Sequence, residues 1–594
     1  MNGPMLGLLR PVTSAVSNCK FLFPFKFSLS FLVLSRVGLA AEPVPLVSER
    51  INDEVARVLK RLAAPLETSM EAAPDWKSDL AAGFSCGPLR PGSPATLRDG
   101  PEASVVRFFD TSSAASRGTV DKEWRSLISA WGESTDRHVK FKITRVDLSA
   151  PPAVRTRVLF SLTATTATGP AEHNATWDAE WLPTKASTPE SPDLKLKSLR
   201  CVSAEEARAK SGPWLADGTE SLLGGLPWFH GQMGRGNAYW RARLQKEAEQ
   251  FIWGHHGLAI GDVNGDGLDD VYICMEGGLP NRLLLQQPDG RVQDASAEWR
   301  VDFHDHTRAA LMADLDGDAD LDMVLSLTRG ILLLENEGQR FVQKALLPRV
   351  TDAYSLAAAD YDGNGTVDFY GCGYRSREDD PARVAIPVPF YDAQNGGENF
   401  LVRNEGGWKF TNATAETGLD QGNSRFSFAA VWTDFDNDGD PDIIVANDFG
   451  KNNLYEQRRD AAGKITFLDV AATQGLGNSG FGMSVSVADY NGDGLLDFYI
   501  GNMFSSAGNR ITNQPEFKKG LPPDALERFR VLANGNALYL QGGKGGFQDH
   551  GLAAGVSMGR WTWGTLAADL NCDGRDDLLV ANGAITGHST APDL

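Results

Sequence analysis

The sequence has 594 residues and a mass of 64.2 kDa, which exceeds one ordinary domain of roughly 150 residues and implies several units or one large array. Apolar residues make up 42% of the chain and aromatic residues 9%, a composition that excludes a disordered or fibrous chain. The 57 basic and 77 acidic residues leave a net charge of −20, which argues against nucleic acid as a partner. The 62 glycines predict many tight turns between short strands.

Residues 1–41 combine basic residues, an apolar run at 27–34 and small residues before Glu42. This order is typical of a secretory signal peptide. A membrane anchor is the alternative, but the run is far shorter than the ~20 apolar residues that a spanning helix needs. We therefore expect export to a secreted, periplasmic or cell-surface location, with no membrane span after removal of the signal.

None of the six cysteines shows CxxC spacing, so neither a zinc knuckle nor a redox dithiol is indicated. Cys86 and Cys201 are close enough in sequence to bridge within one domain, and this pairing stays open. Isolated buried thiols are the interpretation for Cys274 and Cys372, which follow strand-like runs.

Residues 42–210 predict a small α+β domain. Ile51, Val55 and Leu62 fall on one helical face. After Gly132 the apolar residues alternate with polar ones in four runs, which predicts an antiparallel sheet packed on helices. The shape resembles NTF2-like or cystatin-like domains. No catalytic constellation is visible here.

From about residue 250, one acidic pattern recurs six times. It is Asp-x-Asp/Asn-x-Asp/Asn-x-x-x-Asp, usually with Gly at the sixth position. The residues at positions 1, 3, 5 and 9 are Asp262, Asn264, Asp266 and Asp270; Asp314, Asp316, Asp318 and Asp322; Asp360, Asp362, Asn364 and Asp368; Asp434, Asp436, Asp438 and Asp442; Asp489, Asn491, Asp493 and Asp497; and Asp569, Asn571, Asp573 and Asp577.

A tight loop that projects alternate oxygen-bearing side chains inward forms a cage for a hard cation. Ca²⁺ is favoured over Mg²⁺ because it accepts more oxygens in a more adaptable geometry. The second copy has Ala319 where the others have Gly, so we expect strain there. EF-hands are excluded, since position 12 is apolar or Gly in every copy and strand-like runs flank the loops.

For a single copy the alternative is an Asx-rich turn without metal. Six copies with the same flanks favour metal binding, because clusters of three or four carboxylates repel one another unless a cation or protons intervene. The sequence therefore predicts up to six structural Ca²⁺ ions.

The first aspartates of successive loops are 52, 46, 74, 55 and 80 residues apart. The shorter spacings fit four strands per repeat, the blade of a β-propeller. The extra length in the wide gaps lies at 375–396 and 503–533. We predict a mainly β fold, a six- or seven-bladed propeller over 251–594, with 211–250 as a connecting segment that is a candidate for closing the ring.

The repeats resemble the FG-GAP or VCBS repeats of integrin α-chain propellers. Three phrases are similar to the cartilage acidic protein family, whose members often carry an ASPIC/UnbV module: residues 428–442 (FAAVWTDFDNDGDPD) with 445–450 (VANDFG), residues 502–510 (NMFSSAGNR), and residues 561–564 (WTWG). The resemblance implies a calcium-binding propeller in an exported protein. The chain ends soon after the sixth loop, so no ASPIC/UnbV module is expected in it.

If the loops lie at one face of a propeller, both insertions and the starts of the first strands lie at the opposite face. Polar and aromatic residues there are candidates for ligand binding, with strand capping and turn closure as the alternative. These residues are His255, His256, His304, His306, Arg425, Asn447, Asn502, Trp561 and Asn582.

The leading functional hypothesis is a non-enzymatic binding module for an extracellular protein or glycan. The alternative is a propeller-fold polysaccharide lyase or hydrolase that uses the face opposite the loops. The sequence contains no G-x-S-x-G or HExxH motif in support of the alternative. A structural role in an envelope or matrix assembly is a third hypothesis.

Overall fold

The computed structural model describes eleven ranges of the chain: residues 47–68, 78–91, 94–109, 120–213, 215–235, 237–245, 257–348, 353–374, 386–477, 479–543 and 546–583. All of them belong to one unit, Leu46–Ala584. The predicted signal peptide, His255, His256 and part of the first insertion lie outside the described residues.

The N-terminal part of the unit is one sheet with two helices packed against it. The elements are α1 (Val47–Glu67), β1 (Leu80–Cys86), β2 (Ala95–Asp99), β3 (Ala103–Phe109), α2 (Val120–Ser129), β4 (Ser134–Asp147), β5 (Val154–Thr166), β6 (Gly169–Pro183) and β7 (Leu194–Ala209). The strand order is β2-β3-β7-β6-β5-β4, and β1 pairs with β7 in parallel. The four predicted strand runs form β4 to β7, whereas β1 to β3 were not predicted.

Alternation in the long strands explains how this sheet packs. In β5 and β6, every second residue is buried while its neighbours are partly or fully exposed, because successive side chains of a strand point to opposite faces. The buried face carries Phe160 and Trp177, whose rings stack with centroids 4.2 Å apart. Trp124 of α2 packs on both rings. The predicted helical face of Ile51, Val55 and Leu62 is buried in the same core.

A charged cluster lies within the same core. His173 and Glu206 are buried on adjacent strands, and the Arg90 guanidinium donates to Glu206 Oε2 at 2.6 Å and to the carbonyl of Leu127 at 3.0 Å. Burial would raise the pKa of Glu206, but His173, Arg90 and Arg208 lower it to about 2. The pKa of His173 is lowered by burial. The ion pairs thus compensate for the desolvation of Glu206 and tie α2 to the sheet.

None of the described cysteines forms a disulfide bond. Cys86 and Cys201, the candidate disulfide pair, are both buried, and their thiols donate to the carbonyls of Gly87 and Ser203. Burial raises the pKa of the Cys86 thiol to about 12. Cys274 and Cys372 are buried, as the sequence indicated, and Cys572 is exposed.

The connecting segment is helical in its described part. Its helices are α3 (Thr219–Leu223), α4 (Phe229–Gln232) and α5 (Asn237–Arg241). Arg282 donates to Gln232 Oε1 at 2.6 Å and lies over the Trp228 ring, which holds the segment on the sheet that follows. The sequence made this segment a candidate for closing the propeller ring. Within residues 215–235 and 237–245, however, it contains no strand. Among the described residues, no helix has the length and apolar character needed to cross a membrane.

The remaining chain forms a series of antiparallel sheets. The first three contain β8 (Leu258–Gly261), β9 (Asp270–Ile273), β10 (Arg282–Gln286) and β11 (Val292–Asp294); β12 (Thr307–Ala313), β13 (Asp322–Leu327), β14 (Gly330–Asn336) and β15 (Phe341–Leu347); β16 (Ala353–Ala359), β17 (Asp368–Gly373), β18 (Phe400–Asn404) and β19 (Phe410–Asn412). In each sheet the four strands pair in chain order.

Two further four-stranded sheets and a strand pair follow. Their elements are β20 (Phe426–Thr433), β21 (Asp442–Asp448), β22 (Gly450–Lys451), β23 (Asn453–Arg459), β24 (Ile465–Asp469), β25 (Ser479–Gly480), β26 (Ser484–Ala488), β27 (Asp497–Gly501), α6 (Ser506–Thr512), α7 (Pro523–Val531), β28 (Ala537–Gln541), β29 (Phe547–Asp549), α8 (Gly551–Ala554), β30 (Thr562–Ala568) and β31 (Asp577–Asn582). The short strands β22 and β25 pair with each other outside the sheet β20-β21-β23-β24.

Neighbouring sheets pack face to face through alternate residues of their central strands. Met323 and Leu325 of β13 share a core with the first sheet, whereas Val324 between them packs on the third sheet. The first strand of each sheet contacts the first strand of the next, from β8 through β12, β16, β20 and β26 to β30. This mainly β arrangement is consistent with a β-propeller.

Candidate metal sites and the opposite face

Every acidic loop joins the first strand of a sheet to the second. Its ninth-position aspartate is the first residue of the second strand in all six cases, at β9, β13, β17, β21, β27 and β31. The predicted unit of strand, acidic loop and strand is therefore present in each repeat.

The first aspartate of each loop organises the turn. Asp262 accepts hydrogen bonds from the backbone N–H groups of Asp266 at 3.0 Å and Gly267 at 2.7 Å. In each of the other loops the first aspartate accepts the equivalent bond from the sixth residue. The sixth residue adopts a positive φ, +85° at Gly267 and +77° at Ala319. Because an L side chain disfavours that region, the expected strain at Ala319 is present.

The ninth aspartate connects the loop to the third strand. In loop four, Asp442 Oδ2 accepts from the N–H of Phe435 at 3.2 Å, and Oδ1 accepts from the N–H of Gln457 at 2.8 Å. The same pair of bonds occurs in the first five loops, where the ninth aspartate has no exposed surface. These carboxylates are fixed in position by buried backbone donors.

Burial also changes how readily these groups ionise. It raises the pKa of Asp322, Asp368 and Asp442 to about 7, with a contribution from neighbouring carboxylates of the loop, while the backbone N–H bonds act in the opposite direction. The pKa of Asp270 and of Asp497 is raised for the same reasons. A nearby cation would favour the ionised form of each.

In three loops, the carboxylates at positions 1, 3 and 9 converge. One oxygen from each lies within 4.8 Å of the others in the sets Asp314, Asp316 and Asp322; Asp360, Asp362 and Asp368; and Asp434, Asp436 and Asp442. Asp318 and Asp438, at position 5, are not members of these sets; Asp438 instead accepts from the N–H of Asp440 at 2.9 Å.

The donor set fits calcium. The converging atoms are carboxylate oxygens, the ligands that Ca²⁺ prefers. Asp316 Oδ1 is buried and has no hydrogen-bond partner among the described residues. A bound cation would supply the partner that this oxygen lacks.

Loops one, five and six have Asn at position 3. In loops one and five the amide of this Asn donates to the position-5 aspartate at 3.0 Å.

A set of amide side chains was missed by sequence reasoning. Asn336 Nδ2 donates to the carbonyl of Val263 at 2.8 Å, and Asn404 Nδ2 donates to that of Leu315 at 2.7 Å. Each bond joins the end of a third strand to position 2 of the preceding sheet's loop, and Gln541 repeats it on Phe435. The signal was present, since Asn or Gln ends the third strand in four of the five four-stranded sheets, and in the remaining sheet Gln457 lies two residues before the end of β23.

The ligand residues predicted for the face opposite the loops are of two kinds, buried and exposed. Asn447 and Asn502 are buried; Asn447 accepts from Ser427 Oγ at 2.7 Å and donates to the carbonyl of Lys451 at 2.8 Å, so it closes a turn. Arg425 pairs with Asp392 at 2.8 Å. His306 is buried, whereas His304 and Asn582 are exposed.

Trp561 belongs to an aromatic cluster that sequence reasoning did not assemble. The cluster unites residues near the starts of successive first strands with two that follow second strands, Tyr374 after β17 and Met503 after β27. Its members are Tyr354, Tyr374, Phe428, Met483, Met503, Trp561 and Trp563. Tyr374 donates its hydroxyl to Asp448 at 2.7 Å, and burial raises the pKa of Asp448 to about 7. This partly exposed surface is called the aromatic face below.

Four of the six acidic loops lie in segments that match a known repeat family. The FG-GAP-like repeat family matches residues 262–325 and 434–500, so the chain carries FG-GAP-like repeats, as the motifs predicted. The chain is similar to cartilage acidic protein 1 of two organisms. It is 33% identical to the Mus musculus protein over 147 residues and 32% identical to the Homo sapiens protein over 152 residues. Each match covers 23% of this chain and 22% of the relative. The chain thus matches about a fifth of the length of these curated relatives.

A solved structure with partial similarity is the V. cholerae biofilm matrix protein Bap1. It is 15% identical, covers 44% of this chain and 37% of its own, and has a TM-score of 0.24.

The two roles of the loop aspartates can be separated by mutation in excess EGTA. Asp442→Ala leaves the buried N–H groups of Phe435 and Gln457 without acceptors, so we expect a loss of about 2–4 kcal/mol in the free energy of unfolding. Asp438→Ala, at an exposed position of the same loop, should cost less than about 1 kcal/mol. Urea denaturation measures both, and equal losses would contradict the structural role of Asp442.

Proposed function

We propose that this chain is a calcium-stabilised β-propeller, with up to six calcium-binding loops, that acts as a non-enzymatic binding module outside the cell. The observation that carries the calcium assignment is the convergence of three carboxylates within 4.8 Å in each of three loops. The series of mutually packed sheets supports the propeller. The apolar run and small residues of segment 1–41 support export.

Calcium has a structural role in this proposal. Where bound, the ion would be held by positions 1, 3 and 9 and would neutralise carboxylates that otherwise repel one another. At tenfold its dissociation constant, calcium contributes about 1.4 kcal/mol per site. Six such sites, the upper limit, would give roughly 8 kcal/mol, similar to the whole net stability of a domain.

Calcium removal tests this role. We expect excess EGTA to lower the thermal midpoint of the purified chain, measured by circular dichroism, and added CaCl₂ to restore it. A triple variant, Asp316→Ala, Asp362→Ala and Asp436→Ala, should lose half or more of the calcium-induced shift because three of at most six calcium-binding loops lose a ligand. Asp420→Ala, an exposed aspartate outside the loops, is the control. A midpoint that does not change with EGTA contradicts the proposal.

The aromatic face is the proposed binding surface. Partly exposed tryptophan and tyrosine rings offer large apolar contact area together with hydrogen-bonding groups, a combination suited to a glycan or a protein loop. The Trp561 and Trp563 rings lie 6.1 Å apart between centroids. The helices α6 and α7 are inserted between β27 and β28, on the connection that leads away from the acidic loops, and so border the same side.

A glycan array probed with the calcium-loaded chain, combined with a screen for polysaccharide cleavage, tests the binding role. We expect binding to a subset of glycans without cleavage. Trp561→Ala should weaken that binding at least tenfold because a stacking surface is lost, whereas Phe109→Ala, half-exposed on β3, should not. Polysaccharide turnover would instead support the lyase or hydrolase alternative, and equal loss in the two variants would reject the aromatic face.

A further inference from the structure

The sixth acidic loop differs from the other five in the surroundings of its ninth aspartate. Its Oδ2 accepts from the N–H of Leu570 at 3.2 Å, as in the other loops. In the first five loops, Oδ1 accepts from a third-strand N–H, but the sixth sheet has only β30 and β31 within the described chain. Asp577 is accordingly 23% exposed, whereas its five counterparts are fully buried.

An arginine from the N-terminal sheet occupies this position. Arg98 of the edge strand β2 places Nη2 at 3.0 Å from Asp573 Oδ2 and Nη1 at 3.7 Å from Asp577 Oδ1. The strand pairing of β2 with β3 shifts register between Thr96 and Arg98. Such a bulge redirects the side chains that follow it, which here sends the guanidinium toward the loop.

A second contact holds the N-terminal sheet near the array independently of Arg98. Arg510 of α6 pairs with Glu49 at 2.6 Å and donates to the carbonyl of Ile143 at 2.6 Å, and it is 6% exposed. Gln514 donates to the carbonyl of Val146 at 3.1 Å. The sheet that carries Arg98 is therefore held in place by contacts other than those of Arg98 itself.

We propose that Arg98 is the internal cation of the sixth loop and that this loop takes up no calcium while Arg98 is in place. The inference rests on the proposed function for the other loops. Loop six offers three carboxylates, Asp569, Asp573 and Asp577, and the guanidinium lies against two of them. A fixed positive charge there opposes the entry of a divalent ion and takes oxygens that would otherwise be its ligands. The same ion pairs connect the N-terminal sheet to the last strand pair.

Isothermal titration of the calcium-free full chain with CaCl₂ tests the assignment. We expect Arg98→Gln to take up one more calcium ion per chain than the native protein. Arg98→Gln combined with Asp569→Asn should lose that additional ion, which would locate it in loop six. Arg98→Lys retains the positive charge and should match the native protein, as should the control Lys210→Gln, which removes a charge that pairs with Asp99 on the same edge strand.

Equal calcium stoichiometry in the native protein and Arg98→Gln, with both folded by circular dichroism, would overturn the inference while leaving the proposed function intact. An extra ion that persists in the double variant would overturn it as well. Absence of calcium uptake by every protein would instead contradict the proposed function, and this inference with it.

Discussion

The array depends on a buried carboxylate at the start of the second strand in each of its first five repeats. A buried charge is costly unless it is hydrogen-bonded or paired, and here the ninth aspartate of the first five loops accepts one N–H from its own loop and one from the third strand. It thereby fixes the loop on the sheet and places an oxygen beside those of positions 1 and 3. The same residue holds the loop on the sheet and is a candidate metal ligand. These two roles explain why Asp stands at position 9 in every loop.

The repeat pattern could be predicted from sequence because the residues that form each loop and its flanking strands are close together in the chain. Alternate acidic residues, a glycine at positive φ and flanking apolar runs all lie within about fifteen residues, and the structure has them as loop and strands. The strain at Ala319 was predictable for the same reason. Contacts between repeats were not, because Asn336 and Val263 are 73 residues apart. The aromatic cluster and the β1 to β3 strands likewise depend on long-range pairing that no local period reveals.

The structure separates the candidate ligand residues of the opposite face into exposed groups and groups held by buried hydrogen bonds. Sequence placed Asn447, Asn502 and Trp561 together, but the two asparagines are buried in backbone hydrogen bonds whereas Trp561 belongs to the aromatic face. Arg98 was invisible to motif analysis because a single arginine on an edge strand carries no signature. Arg98 matters because β31 pairs with no third strand within the described residues, and a side chain from another sheet takes the place of the third-strand donor.

The central claim is that positions 1, 3 and 9 hold calcium. The most direct measurement is the anomalous difference map of a crystal grown with CaCl₂, collected at a long wavelength where calcium scatters anomalously. The account predicts peaks bounded by Asp314, Asp316 and Asp322, by Asp360, Asp362 and Asp368, and by Asp434, Asp436 and Asp442. Carboxylates turned toward solvent with no peak between them would contradict it.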